Sequence, residues 1–126
     1  MSAEFDFIVV GSGAGGDATG SVLTEADLGV SLGERATLVQ FSTEFCAYCG
    51  PTRELLAEVA RSRDGVAVVE IDASRRMDLA RRLNVFSTPT VFVLAADGSI
   101  AQRASGRPRK AEVLAAVSSV LDGGTP

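Results

Sequence analysis

Histidine and tryptophan are missing from this sequence of 126 residues, and cysteine occurs only twice. Without histidine, two cysteines cannot complete a tetrahedral metal site; a structural zinc would need carboxylates or a second chain, so no metal is expected. Lysine is almost as scarce, with a single example at Lys110. Acidic residues outnumber basic ones, 16 to 12, for a net charge of -4. Such a surface repels phosphates, which argues against nucleic acid or an anionic membrane as partner. No apolar run approaches the roughly 20 residues of a membrane span, and the N-terminus lacks the basic start and apolar stretch of a signal peptide. As written, the chain is expected to be cytoplasmic. At 46% hydrophobic content it has enough length for one domain with a core.

The two cysteines fall three residues apart in Phe45-Cys46-Ala47-Tyr48-Cys49-Gly50-Pro51. Before them, Ala36-Thr37-Leu38-Val39-Gln40-Phe41 is short, apolar and rich in strand formers. After them, Thr52 to Arg63 spaces Leu55, Leu56, Val59 and Ala60 as a helix does. The pair therefore stands where a strand ends and a helix begins. Residues i and i+3 share a helix face, so Cys46 and Cys49 can reach disulfide geometry with little backbone strain. Cys46 is expected at the helix start, where unpaired N–H groups and the positive end of the dipole favour a thiolate; Cys49, one turn in, is expected to be more covered. In the division of labour that follows, Cys46 attacks a substrate disulfide and Cys49 resolves the mixed disulfide.

Ahead of this unit, Phe5 to Val10 reads as a strand, and Gly11-Ser12-Gly13-Ala14-Gly15-Gly16 fits G-x-G-x-x-G directly after it. This short stretch resembles the opening of FAD-dependent oxidoreductases of the glucose-methanol-choline type, where the glycines let the backbone approach a pyrophosphate. The fingerprint needs a helix directly after the glycines, whereas Asp17-Ala18-Thr19-Gly20-Ser21 is turn-like. A whole nucleotide-binding domain does not fit before the cysteine unit. Residues 1–20 are therefore read as a Gly-rich tail, non-native or fusion-derived, and no cofactor is expected.

Further along, Thr24 can N-cap a short helix with Asp27 at its third position and Gly29 ending it. Val66 to Asp72 is a nearly continuous apolar strand of the kind buried on both faces. Ala73 to Leu83 reads as a helix with Met77, Leu79, Ala80 and Leu83 inward and Arg75, Arg76, Arg81 and Arg82 on a solvated face. Asn84 to Pro89 is a loop, and Thr90 to Leu94 a second buried strand. Ala96-Asp97-Gly98 turns the chain into Ser99 to Ala104, and Lys110 to Leu121 is a last amphipathic helix. Strands alternating with helices imply an α/β domain with a parallel core, to which the late hairpin adds an antiparallel edge.

Four features spread over residues 21–121 resemble the thioredoxin family. They are Phe45-Cys46-Ala47-Tyr48-Cys49, Val69-Glu70-Ile71-Asp72, Ser87-Thr88-Pro89-Thr90, and Gly106 before the last helix. The resemblance implies a thioredoxin fold over residues 21–126, a central mixed sheet of four to five strands flanked by helices. It also implies a cis bond between Thr88 and Pro89 in a loop beside the cysteines, where the backbone of Thr88 pairs with an extended substrate segment. Cys46 and Cys49 are then catalytic, and Phe45, Ala47, Tyr48, Thr88 and Pro89 bind substrate. A rival register, Cys49-Gly50-Pro51-Thr52 as a Cys-Gly-Pro-Cys with its second cysteine lost, displaces the flanking strand and helix by three and is set aside.

The sequence departs from the family in telling places. Phe45 replaces the usual tryptophan before the first cysteine. Gln40, six residues before Cys46, stands where thioredoxins proper carry a buried aspartate, and Val68 where a lysine often pairs with it. No charged general base is evident behind Cys49, so its deprotonation falls to water, a substrate group or a neutral relay. Gln40 is equally well read as a strand amide satisfied in the core. The expected function is thiol–disulfide oxidoreductase acting on protein disulfides or dithiols, as a monomer served by its own redox partner. The competing reading is a thioredoxin-fold binding or adaptor module without turnover. An extracytoplasmic domain of a membrane-tethered protein, its anchor absent from this sequence, is the alternative to the cytoplasm.

Overall fold

The computed structural model describes residues 6–9 and 22–122. Strand β2 (Ala36–Ser42) is buried along all seven residues, and the rest of the fold is layered on it. Successive strand side chains point to opposite faces. Leu38 packs with Leu56 and Val59 of α2 (Cys49–Arg61) and with Val113 and Val117 of α4 (Lys110–Leu121). Val39 and Phe41 face the other way, into a cluster with Leu28 of α1 (Glu25–Leu28) and Leu79 and Ala80 of α3 (Met77–Arg82). Helices thus cover both faces of the sheet.

The strand order is β1-β5-β4-β2-β3, where β1 is Asp6–Val9, β3 Val66–Asp72, β4 Thr90–Ala95 and β5 Ile100–Ser105. Only β2 and β3 run parallel; β2 with β4, β4 with β5 and β5 with β1 are antiparallel. The expected parallel core is therefore a single pair. The length of α3 explains it. Its six residues advance about 9 Å, too little to return along a seven-residue strand of about 23 Å. β4 consequently starts at the end where β3 stopped, with Thr90 opposite Phe41 and Asp72 opposite Ser42.

β3 also differs from expectation. It lies at the sheet edge, so Val66 to Val68 are only half-buried and Glu70 is exposed. The helix expected from Ala73 begins at Met77, because Asp72 Oδ1 accepts from the backbone N–H and hydroxyl of Ser74 and holds residues 73–76 in a turn. At the first helical position Met77 falls outside the inward stripe of Leu79, Ala80 and Leu83, and it is half-exposed.

α1 forms as its capping signals dictate. The Thr24 hydroxyl accepts from Asp27 N–H, Asp27 Oδ2 accepts from Thr24 N–H, and Gly29 ends the helix at φ 79°. Two arginines expected on a solvated face hold α1 instead. Arg82 pairs with the Asp27 carboxylate at 3.0 Å, and Arg76 donates to the Asp27 carbonyl at 2.8 Å. Within the strand expected over residues 5–10, Asp6–Val9 forms β1 beside β5. The glycine-rich stretch 11–16 and residues 123–126 lie outside the described residues.

Candidate active site

β2 delivers the chain at Ser42 into a loop that reaches α2 at Cys49. Cys46 and Cys49 are joined by a disulfide with Cα atoms 5.4 Å apart. α2 starts at Cys49, with Tyr48 as its N-cap, so Cys46 precedes the helix by three residues instead of standing at its start. Pro51 accounts for the difference. From a start at Cys49 it occupies the third helical position, where no intrahelical donor is needed; from Cys46 it would break a backbone bond in the second turn. Cys46 still stands just ahead of the open helix end, and it is partly exposed. Cys49 is 2% exposed.

Gln40 lies behind the pair, fully buried on the α2 face of β2. Its Nε2 donates to the Cys49 carbonyl at 2.9 Å, while its Oε1 has no partner. The reading of Gln40 as a satisfied core amide is thus half correct. One residue across the parallel register is Glu70, which accepts from Arg53 through both carboxylate oxygens, at 2.8 and 2.7 Å, and from the Ser42 hydroxyl at 2.7 Å. The guanidinium of Arg53 holds the Glu70 carboxyl below its ordinary range. This network ties the first turns of α2 to the end of the sheet. The sequence signal for it was a carboxylate in an otherwise apolar strand, opposite Gln40.

The loop before β4 forms the other wall. The Thr88–Pro89 peptide is cis. Thr88 is half-buried, its hydroxyl 3.2 Å from that of Thr43 in the cysteine loop, and Pro89 is buried. The Pro89 carbonyl accepts from Gly106 N–H at 2.9 Å, and Gly106 adopts φ 91°, a conformation that favours glycine. Phe45, Ala47 and Tyr48 are exposed around the disulfide, Phe45 to 92%. All the sequence-predicted site residues thus belong to the cysteine loop, the first turn of α2 and the facing loop. Phe86, 88% exposed in that facing loop, was not foreseen, although an aromatic residue three before the proline was there to be read. Nor was Arg107, whose Cζ lies 4.4 Å from the centroid of the Tyr48 ring.

The thioredoxin family model matches residues 22–119. The chain belongs to the thioredoxin family. Chloroplastic thioredoxin z superposes with a TM-score of 0.63 at 26% identity, covering 71% of this chain and 81% of that one. A probable protein disulfide-isomerase A6 of Medicago sativa is 34% identical over 62 residues, which are 47% of this chain and 17% of its own. A protein disulfide isomerase-like 2-2 of Oryza sativa subsp. japonica is 37% identical over 57 residues, 43% of this chain and 15% of its own. The chain thus spans less than a fifth of the length of these curated relatives. A thioredoxin domain with a closed Cys-x-x-Cys pair is the redox unit of a thiol–disulfide oxidoreductase. Among the described residues, no cluster of three or more His, Cys, Asp or Glu side chains could hold a metal ion, and no helix is long and apolar enough to cross a membrane.

Proposed function

We propose that this thioredoxin domain exchanges disulfides with protein substrates through Cys46 and Cys49. The observation that carries the assignment of roles is their unequal exposure: substrate sulfur can approach Cys46, whereas Cys49 is covered. In the reductive direction the Cys46 thiolate attacks one sulfur of a substrate disulfide. That S–S bond breaks, a mixed disulfide forms, and the released substrate thiolate takes up a proton. Cys49 then loses its proton and attacks the Cys46 sulfur, which frees the second substrate thiol and closes the Cys46–Cys49 bond. Two electrons pass to the substrate, and a separate dithiol partner must return them. Gln40 is neutral and cannot accept the Cys49 proton, so water or the departing substrate thiolate takes it.

An extended substrate segment would lie along the backbone of Thr88, with Pro89 beneath it and Phe45, Ala47 and Tyr48 beside it. The domain works as a monomer in the cytoplasm on this reading, and as an extracytoplasmic domain of a tethered protein on the alternative one. The roles are tested by incubating Cys46→Ser and Cys49→Ser with a disulfide-bonded protein and measuring intact mass. Cys49→Ser should accumulate a mixed disulfide at Cys46, and Cys46→Ser should lose turnover by at least about 10³-fold. No turnover by the natural domain and no mixed disulfide trapped by Cys49→Ser would make the domain an adaptor whose cysteines are structural.

A further inference from the structure

Arg107 is a charged feature of the disulfide's surroundings that disulfide exchange leaves unused. The domain carries net negative charge, yet this exposed cation stands at the rim of its reactive pair. Its guanidinium lies over the Tyr48 ring, between the two cysteines in sequence. Gly106, the residue before it, is bonded to the carbonyl of Pro89. Arg107 is thereby fixed between the two walls of the site. Among the described residues it makes no ion pair or hydrogen bond, whereas nearby Lys110 is paired with Glu58 at 3.1 Å. A guanidinium held over a ring face keeps its planar fork of N–H donors, which can bind a carboxylate through two parallel bonds. Because the ring already orders the side chain, less rotamer freedom is lost when an acid binds.

Two aromatic side chains of the rim, Phe45 and Phe86, are almost fully exposed. Glu44 is exposed next to Phe45, so an acidic group in the substrate is disfavoured there and favoured beside Tyr48. We infer that Arg107, held on Tyr48, selects protein segments that carry an acidic side chain next to the disulfide cysteine. This deepens the exchange reading above and rests on it. The occupant is an extended peptide segment of the substrate; a small anionic disulfide such as that of glutathione shares the carboxylate chemistry and is distinguished by the test.

The test uses three disulfide-bridged peptides that differ only in Glu, Gln or Lys beside the cysteine, with glutathione disulfide as a fourth substrate. kcat/KM is measured for the full chain and for Arg107→Gln, and the quantity compared is the Glu-to-Lys ratio within each protein, so a general change in activity cancels. The full chain should favour Glu over Lys by about fivefold at low ionic strength, with Gln between them. The ratio should fall towards one in Arg107→Gln, and towards one for the full chain in about 1 M salt. A ratio of one in the full chain, or a preference that survives in Arg107→Gln, overturns the inference while leaving disulfide exchange standing. Arg107 dependence confined to glutathione disulfide overturns it as well, in favour of a small-molecule occupant. Failure of all four substrates would instead refute the exchange reading beneath it.

Discussion

Gln40 is where this domain's chemistry departs furthest from what its family resemblance implies. A neutral amide occupies a fully buried position behind Cys49, donates to the Cys49 carbonyl, and carries an acceptor with no partner. An unpaired buried carbonyl costs about 1–3 kcal/mol, less than an unpaired buried carboxylate would cost. Glu70, one residue across the register, is already committed to Arg53 and Ser42, so no cation is left to neutralise a second acid there. Gln40→Asp should therefore place a carboxyl whose folded pKa is raised by burial. For a raised pKa, stability is retained below the unfolded value of about 4 and lost as pH rises above it. The variant's deficit relative to the natural domain should widen by about 2 kcal/mol between pH 4 and pH 8, read from urea midpoints. A deficit independent of pH would mean that the introduced carboxyl reaches solvent or a cation.

At the scale of elements, α1 is a single helical turn that stands because α3 grips it. A helix this short is not stable by itself; Thr24 and Gly29 cap it, and Arg76 and Arg82 hold Asp27 from across the fold. The hydrogen bond from Arg82, with that from Thr24, lowers the Asp27 pKa from 3.8 to about 2. A depressed carboxyl contributes stability above its unfolded pKa and loses it as pH falls through the folded one. Asp27→Asn should thus cost about 1 kcal/mol at pH 7, and the gap between variant and natural domain should close between about pH 4 and pH 2. A gap unchanged at pH 2 would show that the carboxylate charge contributes nothing.

The local signals of α1, and those of β2, β3, α2 and α4, were legible in the sequence because caps, turns and apolar spacing are local. What was not legible depends on distant chain. The apolar run Val66 to Asp72 looks the same whether its strand is central or, as here, at the edge. The arginines of α3 read as solvated because their partner Asp27 lies 49 and 55 residues away. The start of α2 is a local matter as well, since Pro51 forbids a helix that begins at Cys46.

On the scale of the whole molecule, the topology gathers the site. β2 runs out at the cysteine loop, the short α3 keeps the chain at that same end, and Gly106 after β5 closes on Pro89. The closeness of Cys46 and Cys49 was legible from their spacing between a strand and a helix, and the cis bond before Pro89 through the resemblance, because that proline recurs at a fixed place in the fold. Phe86 and Arg107 were not, because an exposed aromatic or arginine acquires meaning only when its neighbours across the rim are known. A site that cycles between dithiol and disulfide must open and close its Cys46–Cys49 bond reversibly. An equilibrium titration of the Cys46/Cys49 pair against glutathione buffers, read by thiol alkylation and mass, tests it most directly. One reversible two-electron transition is expected, with a midpoint between about -270 mV for a reductant of other proteins and about -120 mV for an oxidant. A pair that never opens and closes across those buffers would rule out disulfide exchange and leave the domain a binding module.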